Sequence, residues 1–499
     1  MKEGPWMVLR ADASSTIGTG HVMRCLALAQ AWREDGGRVL LISSGITPPL
    51  AARYSAEETE IVSWSDVERP SKDAAMTAAV AKEREAACLV FDGYHFGPEA
   101  QRAARDAGVR TLFIDDFGHA GAYEADLVLD QNACPWAEVY ARRDPRSELL
   151  LGERFILLRR EFRRWAGRRP PFSSSADRVL VTMGGADSSG ATLRAVRALR
   201  QCRAPIQVRA VVGGNCPDAE ALAREAREAG SAIRVEHDLT DMSEPIAWAH
   251  AALAAGGTTC WELAFMGVPF AAVSLAKNQV PVARCLVDKG IAEDLGWHEN
   301  VSEDVLAGAV ERLLGPASRR EEMSRRGKAL VDGHGVWRVL MRARGEKLWL
   351  RPADPGDAEL LWKWANDEDV RRWSFSQDAI PWETHVEWFS RRLSSDENRI
   401  YIGFDGEDAP VGQVRFDARE GRTDIGITVD NKRRGAGFGG LLLAQALRRA
   451  SVDGWAKEFH AAVKADNAGS RSLFERTGFR AVERGKVNGQ DMIHYVRTG

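Results

Sequence analysis

Twice along this chain a series of short apolar runs begins, each run closed by a turn and followed by a helical pattern. WMVLRA, RVLLIS, CLVFD, TLFID and DLVLD form the first series; RVLVTMGG, QVRAVVGG, AALAAGG and PFAAVSL form the second. Strands that alternate with helices are joined by right-handed crossovers into parallel sheets. Two Rossmann-like lobes in tandem are therefore expected. The segment RRWAGRRPPFSSSADR, rich in Pro, Ser and Arg, reads as the linker between them. Ligands of parallel sheets sit beyond the carboxyl ends of the strands, which predicts a site in the cleft between the lobes.

The pattern changes from LWLRPADPGDAELLWKW onward. Trp362, Trp364, Trp373, Trp382 and Trp388 crowd together, and IYIGFDG, VGQVRFD and TDIGITV look like antiparallel strands ahead of two helices. A third, α+β domain is expected, with the tryptophans packing on its sheet. A chain of 499 residues has room for this division, since one core rarely spans so many. The expected domains are 1–168, 177–345 and 346–499.

A net charge of −3 gives no electrostatic footprint for nucleic acid or an anionic membrane surface. No run approaches the roughly 20 apolar residues that span a bilayer, and the amino terminus lacks a signal-peptide core, so a cytoplasmic protein is expected. The seven cysteines are scattered without a C-x-x-C pair, which suggests neither a zinc site nor a disulfide framework. No metal is expected.

Three turns carry chemistry. The first runs Ser15-Thr16-Ile17-Gly18-Thr19-Gly20-His21, from a strand into a helix. Gly20 allows close backbone approach, and the free amides of the first helical turn favour an anion. His21 falls in that turn, with Arg24 three residues on along the same face. The positive end of the helix dipole disfavours imidazolium, so His21 is expected to stay neutral and to accept a proton from water. The second turn is Gly256-Gly257-Thr258-Thr259, with Glu262 one turn into the helix and Asn278-Gln279 after the next strand. It reads as a diphosphate site with hydroxyl caps, Glu262 accepting ribose hydroxyls. Gly184-Gly185-Ala186-Asp187-Ser188 is a further phosphate-loop candidate. The third turn, Arg433-Arg434-Gly435-Ala436-Gly437-Phe438-Gly439-Gly440, opens a helix in the α+β region and suits a pyrophosphate.

RADASSTIGTGHVMRCLALA resembles the amino terminus of the UDP-2,4-diacetamido-2,4,6-trideoxy-β-L-altropyranose hydrolases of pseudaminic acid biosynthesis. Asp92-Gly93-Tyr94, Ile114-Asp115-Asp116 and LGERFILLRREF extend the likeness over residues 7 to about 340. That resemblance implies a two-lobed GT-B fold, with His21 activating water and Asp115-Asp116 as a strand-end pair. The Gly257 region is also similar to the GT-B N-acetylglucosaminyltransferase of peptidoglycan synthesis. By that likeness the backbone from His237 to Met242 holds uracil, and Asn278 and Gln279 reach sugar or phosphate. Rival readings are a GT-B glycosyltransferase and a non-catalytic UDP-sugar-binding module.

The third turn, together with Asn467-Ala468-Gly469-Ser470-Arg471-Ser472-Leu473-Phe474, resembles motifs A and B of the GNAT N-acetyltransferases. The resemblance implies acetyl-CoA as co-substrate, held by Arg434, Gly435, Gly437, Gly439, Gly440 and Asn467, with the pantetheine arm along Ile425 to Val429. Phe474 departs from the family, which often has a tyrosine acid there; Tyr495 is an alternative acid. His385 and Glu387 are candidate bases. Asn366-Asp367-Glu368-Asp369-Val370-Arg371 with Trp388 resembles the UDP-amino-sugar N-acetyltransferases of the same pathway, which implies a 4-amino sugar as acceptor.

Overall fold

Each apolar run of the first series becomes a strand buried on both faces, as parallel sheets require. The computed structural model describes all residues except 1–3, 15–17, 65–68, 167, 169–170, 186, 188, 204, 215, 420–421, 453, 455–457 and 499. The first sheet contains β1 (Trp6–Ala11), β2 (Arg38–Ser43), β3 (Glu60–Ser63), β4 (Cys88–Asp92), β5 (Thr111–Ile114), β6 (Leu127–Asp130) and β7 (Glu148–Leu151). All its pairings are parallel, in the order β3-β2-β1-β4-β5-β6-β7.

The second sheet contains β8 (Arg178–Thr182), β9 (Gln207–Val212), β10 (Ile233–His237), β11 (Ala251–Ala255), β12 (Phe270–Ser274) and β13 (Ala292–Trp297). It too is parallel, in the order β10-β9-β8-β11-β12-β13. The strand order reverses at β1/β4 in one sheet and at β8/β11 in the other. Such switch points open a crevice at the carboxyl edge.

Both parallel sheets lie in one compact unit, Met1–Arg33 with Arg38–Val339; Glu34–Gly37 with Leu340–Gly499 form a second. The segment expected as a linker is anchored on the second sheet's side. Trp165 and Ala166 pack against its apolar cluster, Trp165 Nε1 donates to Ser243 Oγ at 3.0 Å, and Arg320 donates to the carbonyls of Ser173 and Ser174. The edge strands β3, β7, β10 and β13 are absent from the sequence reading, because β3, β10 and β13 lack a continuous apolar run and that of β7 is only three residues long. The cysteine reading is corrected as well. Cys134 and Cys285, separated by 151 residues, form a disulfide with Cα atoms 5.8 Å apart. Their spacing gave no sign of a pairing that the fold alone creates.

The second unit holds β14 (Leu348–Pro352), β15 (Asn398–Asp405), β16 (Pro410–Arg419), β17 (Arg422–Val429), β18 (Glu458–Lys464), β19 (Arg480–Val487) and β20 (Gln490–Thr498). Their order is β14-β15-β16-β17-β18-β20-β19, antiparallel except for β17 and β18. The helices Phe438–Val452 and Ala468–Arg476 cover one face through Leu442, Leu443, Leu447 and Phe474. On the other face Leu361, Trp364 and Phe389 pack on Ile400 and Ile402. Trp364 and Trp388 thus serve the packing expected of them.

Candidate active sites

At the β1/β4 switch point the chain leaves β1 and enters the helix Gly20–Glu34, so His21 emerges beside the end of β4. Residues 15–17 of this turn lie outside the described residues. Gly18 has φ +80°, a left-handed conformation that a side chain would strain. Asp92 is the last residue of β4 and is fully buried. Its Oδ1 lies 2.6 Å from His21 Nδ1, and Arg24 donates from Nε to Oδ2 and from Nη2 to Oδ1, each at 2.6 Å. Burial opposes ionisation of Asp92, but the Arg24 guanidinium and then His21 outweigh it and hold the carboxyl below its ordinary range. A carboxylate accepts, so Nδ1 of His21 carries the proton, and the lone pair of the neutral ring is at Nε2. Orientation of an imidazole by a buried carboxylate is the arrangement that makes a positioned base.

A second layer surrounds this pair. Arg24 Nη1 donates to Asp116 Oδ1 at 2.6 Å, and Tyr94 Oη donates to Asp116 Oδ2 at 2.7 Å. The Tyr94 ring meets His21 edge-on, 4.7 Å between centroids. Burial and the neighbouring Asp116 raise the Tyr94 pKa, keeping the phenol protonated. Asp115 takes a different role: it accepts from the amides of Phe117 and Gly118 and from Tyr123 Oη, which holds the turn after β5. Among the described residues no group of three His, Cys, Asp or Glu is arranged for a metal.

On the second lobe, Gly256 and Gly257 follow β11, and the helix Thr259–Met266 carries Glu262. Thr258 makes no capping bond with its side chain, contrary to the expected hydroxyl cap; its backbone is already helical. Glu262 is buried, and Arg159 Nη2 donates to its Oε1 at 2.6 Å. Burial raises the Glu262 pKa against the pull of Arg159. Asn278 Nδ2 donates to Tyr94 Oη at 2.8 Å, linking the lobes, and Gln279 Oε1 accepts from the Leu275 amide at 2.9 Å.

Gly184 and Gly185 lie at the cavity wall, and the helix that follows their loop is already capped from within. Asp187 accepts from the amides of Ala191 and Thr192, so its own carboxylate fills that helix end. Ala186 and Ser188 of this loop lie outside the described residues. Gly213 is required for close approach, since a Cβ there would meet the Gly185 carbonyl oxygen at 2.1 Å.

These parts face one cavity of about 780 Å³. Gly20, His21, Arg24, Gly257, Thr258, Glu262, Asn278 and Gln279 all line it, as do Asp238, Leu239 and Thr240 after β10. Tyr94, Asp116 and Arg159 line it too, and the sequence reading gave them no role in the site. Asp92 and Asp116 had a legible sign, an acid just where an apolar run stops; Arg159 had none.

In the second unit, among the described residues, β17 and β18 pair at Thr423–Phe459 and Asp424–His460 and then part. The gap opens along Ile425 to Val429, the stretch expected to hold a pantetheine arm. Gly435 and Gly437 have φ of +79° and +84° in the turn beyond β17, and Gly439 and Gly440 start the next helix. Arg434 is engaged by Asp367 at 2.6 Å and Asp369 at 2.8 Å, so an incoming pyrophosphate competes with two carboxylates for it. Asn467 caps the helix Ala468–Arg476, its Oδ1 accepting from the Ser470 amide at 3.0 Å. Phe474 is buried against Phe479 and Tyr495. Tyr495 is fully buried and donates to Glu475 Oε1 at 2.9 Å.

His385 is a packing residue, which overturns its candidacy as a base. Its Nε2 donates to the Ala358 carbonyl at 2.9 Å, it packs among Trp382, Trp388 and Phe389, and burial lowers its pKa. Glu387 is an exposed helix position.

Residues 178–334 match the glycosyltransferase family 28 C-terminal domain, and residues 347–480 match the acetyltransferase (GNAT) domain. Among curated relatives, uncharacterized protein MJ1062 of Methanocaldococcus jannaschii is 21% identical, over 96% of this chain and 97% of that one. Spore coat polysaccharide biosynthesis protein SpsG of Bacillus subtilis is 25% identical over 66% of this chain and 95% of its own length. The UDP-2,4-diacetamido-2,4,6-trideoxy-beta-L-altropyranose hydrolase of Campylobacter jejuni is 23% identical over 57% of this chain and 97% of its own length. A solved spermidine N-acetyltransferase from Vibrio cholerae, in complex with CoA and spermine, is 18% identical with a TM-score of 0.29, covering 30% of this chain and 95% of that one. The architecture is mixed α/β, with two Rossmann-like parallel sheets followed by a sheet domain like that of the GNAT acetyltransferases. Among the described residues no helix is long and apolar enough to cross a membrane.

Proposed function

We propose that the paired lobes hydrolyse a UDP-linked amino sugar, and that the GNAT domain acetylates the amine of its precursor. The hydrolytic reading is carried by one observation, a cavity-lining imidazole held by a buried carboxylate, His21 on Asp92. Water bound at His21 Nε2 loses a proton to that nitrogen as its oxygen bonds to the anomeric carbon. The bond from that carbon to the diphosphate oxygen breaks, and UDP leaves with the electron pair. A positioned base of this kind is worth roughly 10²–10⁴ in rate. Attack opposite the leaving group inverts the anomeric centre. Gly257 and Thr258 at the uncapped helix start bind the diphosphate, Glu262 with Arg159 faces the ribose, and Asn278 with Gln279 contacts the sugar.

The substrate we favour is UDP-2,4-diacetamido-2,4,6-trideoxy-β-L-altropyranose, the compound in the name of the Campylobacter relative. The GNAT domain then supplies the 4-acetamido group from acetyl-CoA, seated by Arg434, Gly435, Gly437, Gly439, Gly440 and Asn467. The match to a glycosyltransferase domain favours one rival, sugar transfer to an acceptor other than water. Incubating the UDP-4-amino sugar with the protein, with and without acetyl-CoA, and following UDP and N-acetylation decides the matter. UDP release that depends on acetyl-CoA supports both halves. Release only after a sugar or lipid acceptor is added supports the rival.

A further inference from the structure

The GNAT domain's sheet carries a histidine pair that no expectation above used. His460 lies on β18 and His494 on β20, with His460 Nδ1 3.1 Å from His494 Nε2 and the rings stacked 5.2 Å apart. Side chains alternate along a strand. Phe459, Ala461, Val463, Ile493 and Tyr495 face the two motif helices, which puts His460 and His494 on the opposite face. That face is the one on which Leu361, Trp364 and Phe389 pack, several strands away.

The position of the pair matters more than its chemistry alone. Asp424–His460 is the last register pair before β17 and β18 separate, so His460 marks the vertex of the gap. Beyond the vertex, on the same face, β17 presents Gly426 and Thr428 and β18 presents Ala462 and Lys464, and the Arg415 side chain of β16 lies against Gly426. The segment 372–375 crosses near the far end, where Lys464 Nζ donates to the Arg372 carbonyl at 2.8 Å and Gln490 Nε2 to that of Phe375. A thioester lying in the gap would meet an amine arriving over this face beside the two imidazoles.

We infer that His460 and His494 act together as the general base of acetyl transfer. This inference rests on the acetyltransferase reading above and assigns the base which that reading left without a residue. A hydrogen bond between two imidazole nitrogens needs one proton between them, so the neutral pair keeps further capacity to accept. His460 Nε2 is buried, has no hydrogen-bond partner among the described residues, and lies 3.4 Å from Glu458 Oε2, an exit for a proton. The charged groups around the pair are Glu458 on β18, Asp424 and Arg422 on β17, and Glu483 on β19. The pair takes one proton from the acceptor ammonium. The amine nitrogen bonds to the thioester carbonyl carbon, the carbon–sulfur bond breaks, and the second nitrogen proton passes to the departing thiolate. No tyrosine acid is then needed where Phe474 stands.

The test uses the full chain with acetyl-CoA and two acceptors in parallel, the UDP-linked 4-amino sugar and glucosamine. His494→Gln is expected to lower kcat/KM for acetyl transfer about 100-fold at pH 7. It should also remove the acidic limb of the pH profile while CoA affinity by calorimetry stays unchanged. His460→Asn, which keeps a polar group toward His494, should show the same loss of the limb and covers the case in which His494→Gln does not fold. An unchanged profile in a folded variant overturns the inference. Wild-type transfer to glucosamine but not to the nucleotide sugar overturns the proposed acceptor and leaves the base standing; transfer to neither overturns both.

Discussion

Arg159 and Glu262, 103 residues apart, meet through a 2.6 Å hydrogen bond in the wall of the cleft. Arg159 lies on the segment that joins the two parallel sheets, beside Glu161, which in turn pairs with Arg53. Glu262 is buried and its carboxyl already titrates high, so it depends on the guanidinium to stay charged. Arg159→Ala leaves that carboxylate without its partner and is expected to cost about 3–5 kcal/mol in urea unfolding. The double variant Arg159→Met with Glu262→Gln should recover much of that loss, because removing both charges removes the stranded one. Uridine nucleotide affinity should fall in both.

His21→Ala should abolish most UDP release, by roughly 10²–10⁴-fold, while UDP still binds. Asp92→Asn tests the orienting carboxylate separately. An amide can donate to Nδ1 and favour the wrong tautomer, so a comparable loss in rate with an intact melting temperature is expected. A rate within twofold of wild type would show that the ring needs no carboxylate.

Asp130, at the end of β6, is buried and pushed up to about 7. Burial is the main cause and the charges of Asp116 and Asp115 add to it, against hydrogen bonds from Asn132 and Tyr140. The folded state therefore holds a proton that the unfolded chain releases near pH 4. The stability this gives is complete below that pH and is lost as pH rises through about 7, at up to 1.4 kcal/mol per pH unit. Asp130→Asn should flatten the decline in denaturation midpoints between pH 5 and 7, measured against wild type.

The Cys134–Cys285 disulfide closes 151 residues of chain. In the chain-entropy view a loop of that length is stabilised by about 4–5 kcal/mol, mainly through the unfolded state. Cys285→Ser should lower the unfolding midpoint of the paired lobes and leave that of the GNAT domain unchanged. Mass spectrometry after thiol alkylation, without reductant, should find five free thiols among the seven cysteines.

The local pattern of residues determined the elements around both sites. Apolar runs ending in Asp92 or before Gly20 and Gly256 are strands that stop where a turn must expose backbone amides, and glycine with a following helix is enough to say so. The GNAT turn was legible for the same reason, since positive φ at Gly435 and Gly437 can be read from residue type. Tertiary structure decided which groups meet. The strand order places β4 beside β1, and only that adjacency brings Asp92 to His21. Arg159 to Glu262, Asn278 to Tyr94 and Cys134 to Cys285 each join residues more than 100 apart, and no local preference encodes such distances. His385 shows the converse: its residue type invited a catalytic role, and burial among aromatic rings removed it. Sequence sets what each segment can do alone; packing sets the neighbours, and the chemistry of an ionisable group belongs to its neighbours.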